Sequence, residues 1–529
     1  YILIFIAIII SAADIGLYNS WGSKINFRAI ESFTNLEEAL GIIFSKENLN
    51  LFCIILIQSV FWLMLFKYLI KTDVYLEKNK IKRILLNILL PMALFIGIRG
   101  GFQEYPIYKN SAYFSENAVL NNSAINGTWN FFSLLKKKKS KINQYNFMSI
   151  DKSKTIFRKI NSELKDSTEY ILTNNKPNIV LIILESFSSE AIGCLSEEKN
   201  VTPGIDSLSK NGILFTNFYS TGFRTDQGLV ALLSGFPAQP QNTIIKDFGK
   251  YDKLPSLIKV LKDNNYNTSY YYGGRLYFAN TESYLKTSGI NKLIGENDFT
   301  FRNKTFWGAY DKDLFNFHLT DCKNNKQPFF SIIMTSTSHE FFDGDFEKPF
   351  GTTTEKNKFK NALHYTDKCL FDYLNQAKSQ AWFNNTLFVI TADHAHYLPN
   401  KRMKYDYERH KIPFLLYGNV LKPEHKGTKN DKISSHIDFA STILAQLNIS
   451  KKKFIYSKNI FNKYSPSFAF YTYDNGFGYI SEEQIVVFDC DLNKVLFSKN
   501  KLSTDKEKEF IEKGKAYLET YMQEYYSFQ

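Results

Sequence analysis

The run Ile179-Val-Leu-Ile-Ile-Leu184 constrains this chain more than any other stretch. It is introduced by Pro177-Asn178 and closed by Glu185-Ser186. Six apolar, largely β-branched residues between turn signals are too short for a helix and lack the alternation of a half-solvated strand. They predict a strand buried on both faces, which belongs in a parallel sheet covered by helices. The pattern then alternates. Residues 212–218, 266–272, 329–335, 386–391 and 413–417 read as strands, and 254–264, 358–377 and 437–447 as helices. The fold class expected is α/β, an open doubly wound sheet over residues 177–465. Beyond residue 466 the character changes to short antiparallel strands at 468–473, 479–480, 484–488 and 494–497, turned at Asn475-Gly476 and Asp491-Leu492-Asn493, and a terminal helix over 505–526.

The N-terminal third differs. Apolar runs at 1–17, 51–70 and 84–98 approach the ~17–25 residues that span a bilayer, the third with 99–102 at the interface. Three transmembrane helices are therefore expected in residues 1–102. The chain opens at Tyr1 inside an apolar run, so further upstream sequence is expected. Lys71, Lys78, Lys80, Lys82 and Arg83 in the short connection place that loop in the cytoplasm by the positive-inside rule. Everything after residue 102 is then extracytoplasmic on a multi-pass protein of the cell membrane. Lys136 to Lys139 and Lys141 run against the rule but lie far from the third helix, and read as a solvated turn. Residues 103–176, with amphipathic pieces at 124–135 and 156–164, are expected as a helical linker near the membrane surface. The net charge of +13 is scattered among aromatics without a nucleic-acid motif, so an anionic membrane surface, not nucleic acid, is the expected partner. Cys53, Cys194, Cys322, Cys369 and Cys490 form neither a disulfide nor a zinc pattern.

In open α/β sheets the ligand sits beyond the C-terminal strand ends. Glu185 follows the first strand, Asp393 and His394 follow the strand at 386–391, and His339 follows the strand at 329–335. Phe223-Arg-Thr-Asp-Gln-Gly228 leads into an apolar run closed by Gly235, which predicts a short buried helix over 226–234 with Thr225 at its N-terminus. There, unpaired backbone N–H groups and the helix dipole favour negative charge. A glutamate, an aspartate, a histidine and a hydroxyl make a donor set for one divalent cation, with Mn²⁺ placed ahead of Mg²⁺ and Zn²⁺. Such an ion would make a threonine hydroxyl a usable nucleophile, and a covalent Thr225 intermediate divides a transfer into two steps. Each residue also has a plain structural role open to it. Thr225 or Asp226 can be an N-cap, Glu185 a helix cap, Asp393-His394 a surface turn beside His396, and His339 a partner within its own loop.

With these residues in place, the chain resembles the alkaline phosphatase/sulfatase superfamily, in its lipoteichoic acid synthase branch. The resemblance rests on Asn178 to Ser186, Thr225, Thr337-Ser-His339, Thr391-Ala-Asp-His394 and Asp438-Phe-Ala-Ser-Thr-Ile-Leu444, where Ser441 replaces a usual proline. It implies a metal held by Glu185, Thr225, Asp393 and His394, Thr225 as nucleophile, and His339 on the substrate phosphate. Five membrane helices are typical of that branch. Two departures matter. No Cys/Ser-x-Pro-x-Arg stretch exists, so formylglycine sulfatase chemistry is not expected. The headgroup segment Gly-Asp-x-x-x-Phe-Trp-Asn-Arg corresponds here to Gly273 to Thr281, with Gly274, Ala279 and Thr281 in the Asp, Trp and Arg positions. Arg275, or Arg224 beside the nucleophile, offers another phosphate clamp.

The expected function is a membrane-anchored, metal-dependent transferase. It moves a phosphoglycerol or phosphoethanolamine headgroup from an anionic phospholipid, through Thr225, to an envelope glycan or lipid. A phosphodiesterase or sulfatase-like hydrolase with water as acceptor is the alternative, and a catalytically inert binding protein the third reading.

Overall fold

The computed structural model describes residues 2–21, 24–25, 49–69, 79–102, 107, 109–112, 114–115, 120, 123–135 and 143–528, excepting 241, 248, 301–302, 343, 475 and 501–503. The chain divides into two compact units, Tyr1–Ser140 and Lys141–Gln529.

The first unit is helical, with Ile2–Trp21, Leu49–Leu69, Lys80–Arg99 and Gly127–Leu135 as its main elements. Among the described residues, Lys80–Arg99 is the one helix long and apolar enough to cross a membrane. The Asn79 side chain accepts from the Ile81 and Lys82 amides at its start, and Gly100 closes it in the left-handed region at φ +94°. Shorter apolar stretches occupy Ile4–Ile15 and Ile55–Tyr68. Asp14, the one acid in the first run, is buried and accepts from Lys24 Nζ at 2.9 Å and the Ile25 amide at 2.8 Å. The loop lysines at 71 and 78, and those at 136–139 and 141, lie outside the described residues.

The second unit is built on an eight-stranded sheet. Its strands are β1 (Asn178–Leu184), β2 (Ile213–Phe215), β4 (Asn267–Tyr272), β5 (Lys292–Ile294), β6 (Phe329–Met334), β7 (Thr386–Ala392), β8 (Phe414–Tyr417) and β9 (Thr428–Asn430), in the order β5-β4-β6-β1-β7-β8-β2-β9. A two-residue β3 (Phe218–Tyr219) pairs apart, with β10 (Ser434–Ser435). Strand β1 is central, parallel to β6 on one side and β7 on the other, and all seven of its residues are buried. That double burial is why its sequence is continuously apolar.

The sheet is mixed, whereas the strand-helix alternation predicts a parallel one. Strand β8 runs antiparallel to both β7 and β2. Residues 393–413 hold only one short 3-10 turn, Tyr407–His410, and no crossover helix. The chain therefore re-enters the sheet from the edge it has just left, which reverses its direction.

A second sheet, β11 (Phe468–Tyr473), β12 (Gly476–Ser481), β13 (Ile485–Asp489) and β14 (Lys494–Ser498), is an antiparallel meander, as expected. Its expected turn residue Asn475 lies outside the described residues. The terminal helix Thr504–Ser527 packs on it, with Phe470 and Tyr517 ring centroids 4.6 Å apart. Tyr521 donates to the Ala238 carbonyl at 2.7 Å, tying the terminal helix to the loop behind the helix that carries Thr225. Helix Ile150–Asn161, within the stretch expected as a linker, also packs here. Phe157 lies 5.5 Å from Tyr517.

Helix Thr225–Ser234 is buried along nearly its whole length. It starts one residue earlier than the sequence pattern suggests and ends at Gly235, φ +57°. Its approach to the sheet depends on Gly228, where a Cβ would sit 2.1 Å from the Asp393 carbonyl oxygen. An alanine at this helical position would gain ~1 kcal/mol in helix propensity. Overpacking against backbone costs about 1–3 kcal/mol and outweighs that gain. Gly228→Ala is therefore expected to lower the thermal unfolding midpoint, checked by calorimetry on the purified protein. An unchanged or higher midpoint would mean the helix is free to move off the strand end.

Candidate active site

Strand register brings the acids together. Leu184 of β1 pairs with Ala392 of β7, so the next residues, Glu185 and Asp393, leave the sheet side by side. His394 follows at once. One ligand atom each from Glu185, Asp393 and His394 lies within 4.8 Å of the others. His394 Nε2 is 3.7 Å from Glu185 Oε1 and 3.4 Å from Asp393 Oδ2.

The surrounding hydrogen bonds fix these side chains and leave particular atoms over. Asp393 Oδ1 accepts from the Ser186 and His394 amides, both at 2.8 Å. Its Oδ2 is buried without a hydrogen-bond partner. Glu185 Oε1 accepts from Ser186 Oγ at 2.7 Å, and Oε2 accepts from Thr225 Oγ1 at 3.3 Å. His394 Nδ1 faces the Ala395 carbonyl at 3.2 Å. A carbonyl can only accept, so Nδ1 carries a proton, and Nε2 is the ring nitrogen that faces the two carboxylates. Behind the cluster, buried His436 directs Nε2 to the Ala392 carbonyl at 2.8 Å and so supports the end of β7.

Two carboxylates converge at this point, which is electrostatically unfavourable in a buried place. Burial, and then the neighbouring Asp393, push the Glu185 carboxyl up to about 8. An orphaned carboxylate oxygen, a second carboxylate that resists ionising and an imidazole lone pair are the donor set a divalent cation satisfies. These residues fit such an ion.

Thr225 opens its helix, and the Arg224 backbone, extended at φ −136°, leads into it. Gln227 and Gly228 amides return to the Arg224 carbonyl, at 3.1 and 3.0 Å. The earlier amides of the first turn have no carbonyl behind them within the helix, which favours an anion near the Thr225 hydroxyl. Asp226 points away, accepting from Thr243 at 3.0 Å and pairing with Lys246 at 3.2 Å.

His339 stands on the loop after β6. Its Nδ1 faces the Glu340 carbonyl at 3.0 Å, and burial lowers its basicity. The loop is pinned by Asp311, whose Oδ1 accepts from the Ser336 and Thr337 amides at 2.9 and 3.2 Å. Thr366 donates to its other oxygen at 2.6 Å. Arg224 lies with its guanidinium 5.2 Å from the Phe223 ring, next in sequence to Thr225. Arg275 is engaged by Glu296, Nε to Oε2 at 3.4 Å. The structure thus gathers Glu185, Thr225, Asp393 and His394 in one cluster, sets His339 on the adjoining loop, and holds Arg275 on Glu296, which also pairs with Lys304.

Three features of this neighbourhood carry no signal in the sequence pattern. Trp307 lies over His339 with ring centroids 3.9 Å apart, although the headgroup segment has Ala279 in its tryptophan position. Asp311 anchors the His339 loop from the start of helix Asp311–Asp321. Glu340 Oε1 is 2.8 Å from His396 Nε2, which joins the His339 loop to the loop bearing Asp393 and His394. An acid at a helix start signals a cap, and nothing in the local sequence marks Trp307 or Glu340.

Known proteins share this arrangement of chain. Lipoteichoic acid synthase 2 of Bacillus subtilis (strain 168) is 26% identical over 314 residues, 53% of this chain and 46% of the relative. Lipoteichoic acid synthase of Staphylococcus aureus (strain USA300) is 25% identical over 325 residues, 57% of this chain and 50% of the relative. The chain spans about half the length of these curated relatives. A crystal structure of an alkaline phosphatase superfamily protein from Vibrio parahaemolyticus superposes with a TM-score of 0.61 at 24% identity, covering 72% of this chain and 98% of that one. The lipoteichoic acid synthase LtaP from Listeria monocytogenes gives 0.56 at 20% identity, with 72% and 98% covered. At these identities the two structures speak to the fold. Residues 177–449 match the sulfatase family, a segment that takes in all eight strands of the sheet and every member of the cluster, and the chain belongs to that family.

Proposed function

We propose that this chain is a membrane-anchored phosphotransferase that moves a phospholipid headgroup onto Thr225 and then to an envelope glycan or lipid. The observation that carries this reading is the Thr225 hydroxyl, 3.3 Å from Glu185, at a helix N-terminus beside a cluster of buried acceptors. The kinship with lipoteichoic acid synthases supports a phosphoglycerol or phosphoethanolamine headgroup, and the altered segment Gly273 to Thr281 leaves the choice between them to experiment. Helix Lys80–Arg99 supports a membrane anchor. We place the protein in the cell membrane as a multi-pass protein with the sheet domain outside.

A divalent cation, Mn²⁺ ahead of Mg²⁺ or Zn²⁺, held by Glu185, Thr225, Asp393 and His394 would supply the electrophilic chemistry a threonine hydroxyl needs at neutral pH. In the first half-reaction Thr225 Oγ1 gives up its proton and bonds to phosphorus. The ester bond to the diacylglycerol oxygen breaks, and that oxygen leaves with a proton. In the second, an acceptor hydroxyl oxygen bonds to phosphorus, the Thr225 ester breaks, and Thr225 regains a proton. The first-turn amides of helix Thr225–Ser234 orient the phosphoryl oxygens. Arg224 and Arg275 add positive charge for the phosphate. His339, kept neutral by burial with Nδ1 committed to Glu340, holds Nε2 ready to take the acceptor's proton. Thr225 is neither cysteine nor serine, and the formylglycine route has no residue to start from.

Incubation of the solubilised protein with Mn²⁺ and labelled phosphatidylglycerol or phosphatidylethanolamine tests this directly. Diacylglycerol release with the label on an acceptor is expected. Free glycerol phosphate or phosphoethanolamine would instead make water the acceptor. Thr225→Ala should lower turnover by about 10³-fold or more and abolish the phospho-adduct seen by mass spectrometry. No adduct on the wild-type protein would overturn the covalent route.

Proton linkage gives an independent check. Glu185 must be ionised to hold the cation, and it resists ionising below about pH 8. Each cation bound below that pH releases a proton, so apparent affinity should be about fiftyfold weaker at pH 6 than at pH 8. The metal-free protein shows the opposite slope. Unfolded glutamate ionises near its ordinary value of 4.5 while the folded group holds its proton to about 8, so stability falls as pH rises through that window. Added Mn²⁺ should reverse the fall. Calorimetric titration and thermal melts across pH read both effects, and a pH-independent affinity would place the ion elsewhere.

A further inference from the structure

Two phenylalanines stand out at the side of the cluster where His339 lies. Phe306 and Phe341 come from different loops and are 47% and 66% exposed. Their rings meet edge to face, with centroids 5.7 Å apart. Phe306 also meets Trp307 at 5.3 Å, and Trp307 lies on His339 at 3.9 Å. A ladder of rings therefore runs without a break from a residue of the site out to solvent. Arg275 brings its guanidinium to 6.0 Å from the Phe306 ring, and Lys304 is two residues away in sequence. Both cations share Glu296, and Glu340, next in sequence to Phe341, is a second acid beside the rings.

We propose that this ladder is the place where the catalytic domain meets the interfacial zone of an anionic phospholipid bilayer. The inference rests on the reading that Thr225 takes its phosphate from a lipid. In such a lipid only a glycerol unit separates the phosphate from the acyl chains. A phosphate at Thr225 then requires the mouth of the site to touch the bilayer, with an apolar surface there to receive the glycerol unit and the first acyl carbons. Aromatic rings beside cations are the chemistry of that zone. A protein partner fits less well. With each phenylalanine side chain covering about 150–250 Å² in full, the exposed parts of the pair amount to roughly 200–250 Å², far below the ~800 Å² per partner of a stable interface. The charge of +13 on the whole chain matches an anionic leaflet.

The test uses the full chain reconstituted into vesicles of phosphatidylglycerol and phosphatidylcholine. With the photoreactive residue p-benzoylphenylalanine placed at position 306 or 341, irradiation should add one lipid mass at that position. The same residue at position 492, an exposed turn of the C-terminal sheet, should give none. No lipid adduct at 306 and 341, or adducts to protein in its place, overturns the proposal. A second measurement compares donors. Phe306→Ser with Phe341→Ser should lower turnover of vesicle lipid roughly tenfold, while Phe306→Leu with Phe341→Leu retains it. Hydrolysis of bis(p-nitrophenyl) phosphate, a soluble diester, should be unchanged in both. Equal loss on both donors would mean that the rings shape the site and do not touch lipid. Lipid crosslinks without a Thr225 adduct would sink the transfer mechanism alone. A Thr225 adduct without lipid crosslinks would sink the membrane contact alone.

Discussion

Everything chemical in this molecule depends on the register between two parallel strands. Leu184 opposite Ala392 puts Glu185 opposite Asp393 at the moment both strands leave the sheet. Backbone hydrogen bonding thereby forces two carboxylates together where water is excluded. A one-residue slip would send one of them to the other face of the sheet. The slip is barred because both strands are buried throughout, so each side chain already has its place. Held beside Asp393 and away from water, the Glu185 carboxyl resists ionising, and a cation would relieve that cost. The unmet oxygen of Asp393 and Nε2 of His394 face the same point.

The helix that carries Thr225 is fitted to that frame by a missing side chain. Gly228 lets the helix come within backbone contact of Asp393, so the Thr225 hydroxyl reaches Glu185. Within a helix, glycine is otherwise a weak choice. Its presence in Thr-Asp-Gln-Gly228 is explained by the neighbour it must admit, not by the helix it belongs to. The helix interior behind it is apolar because it is buried on all sides, which is why a ten-residue element shows no polar face.

These constraints also decide how much of the molecule is legible in its sequence. A strand buried on two faces has to be written as a continuous apolar run, so the run ending at Leu184 announces both the sheet and the position of Glu185. The strand at 386–391 announces Asp393 and His394 in the same way. Strand direction is less legible, since β8 looks like any buried strand and only the lack of a crossover helix in 393–413 reverses it. Trp307 and Glu340 are not legible at all. Their partners are fixed by loops, and loop geometry depends on distant residues such as Asp311. The expected membrane spans lie between these cases. Composition marks three apolar runs, and one of them, Lys80–Arg99, has the length and apolarity for a span among the described residues.

The same division between strand ends and loops separates the acid cluster from the residues around it. Glu185, Asp393 and His394 are set by the sheet, which tolerates little change. Their neighbours Trp307, His339 and Glu340 come from loops. Trp307 supplies an indole against His339 from a loop separate from the segment Gly273 to Thr281. The carbonyl of Glu340 receives both the Trp307 indole N–H and His339 Nδ1, while its carboxylate reaches His396. One residue thus ties the ring that covers His339, His339 itself and the loop of metal-ligand candidates into a unit. The aromatic surface over His339 is thus held by loop contacts, whereas the acids it is joined to are held by strand register.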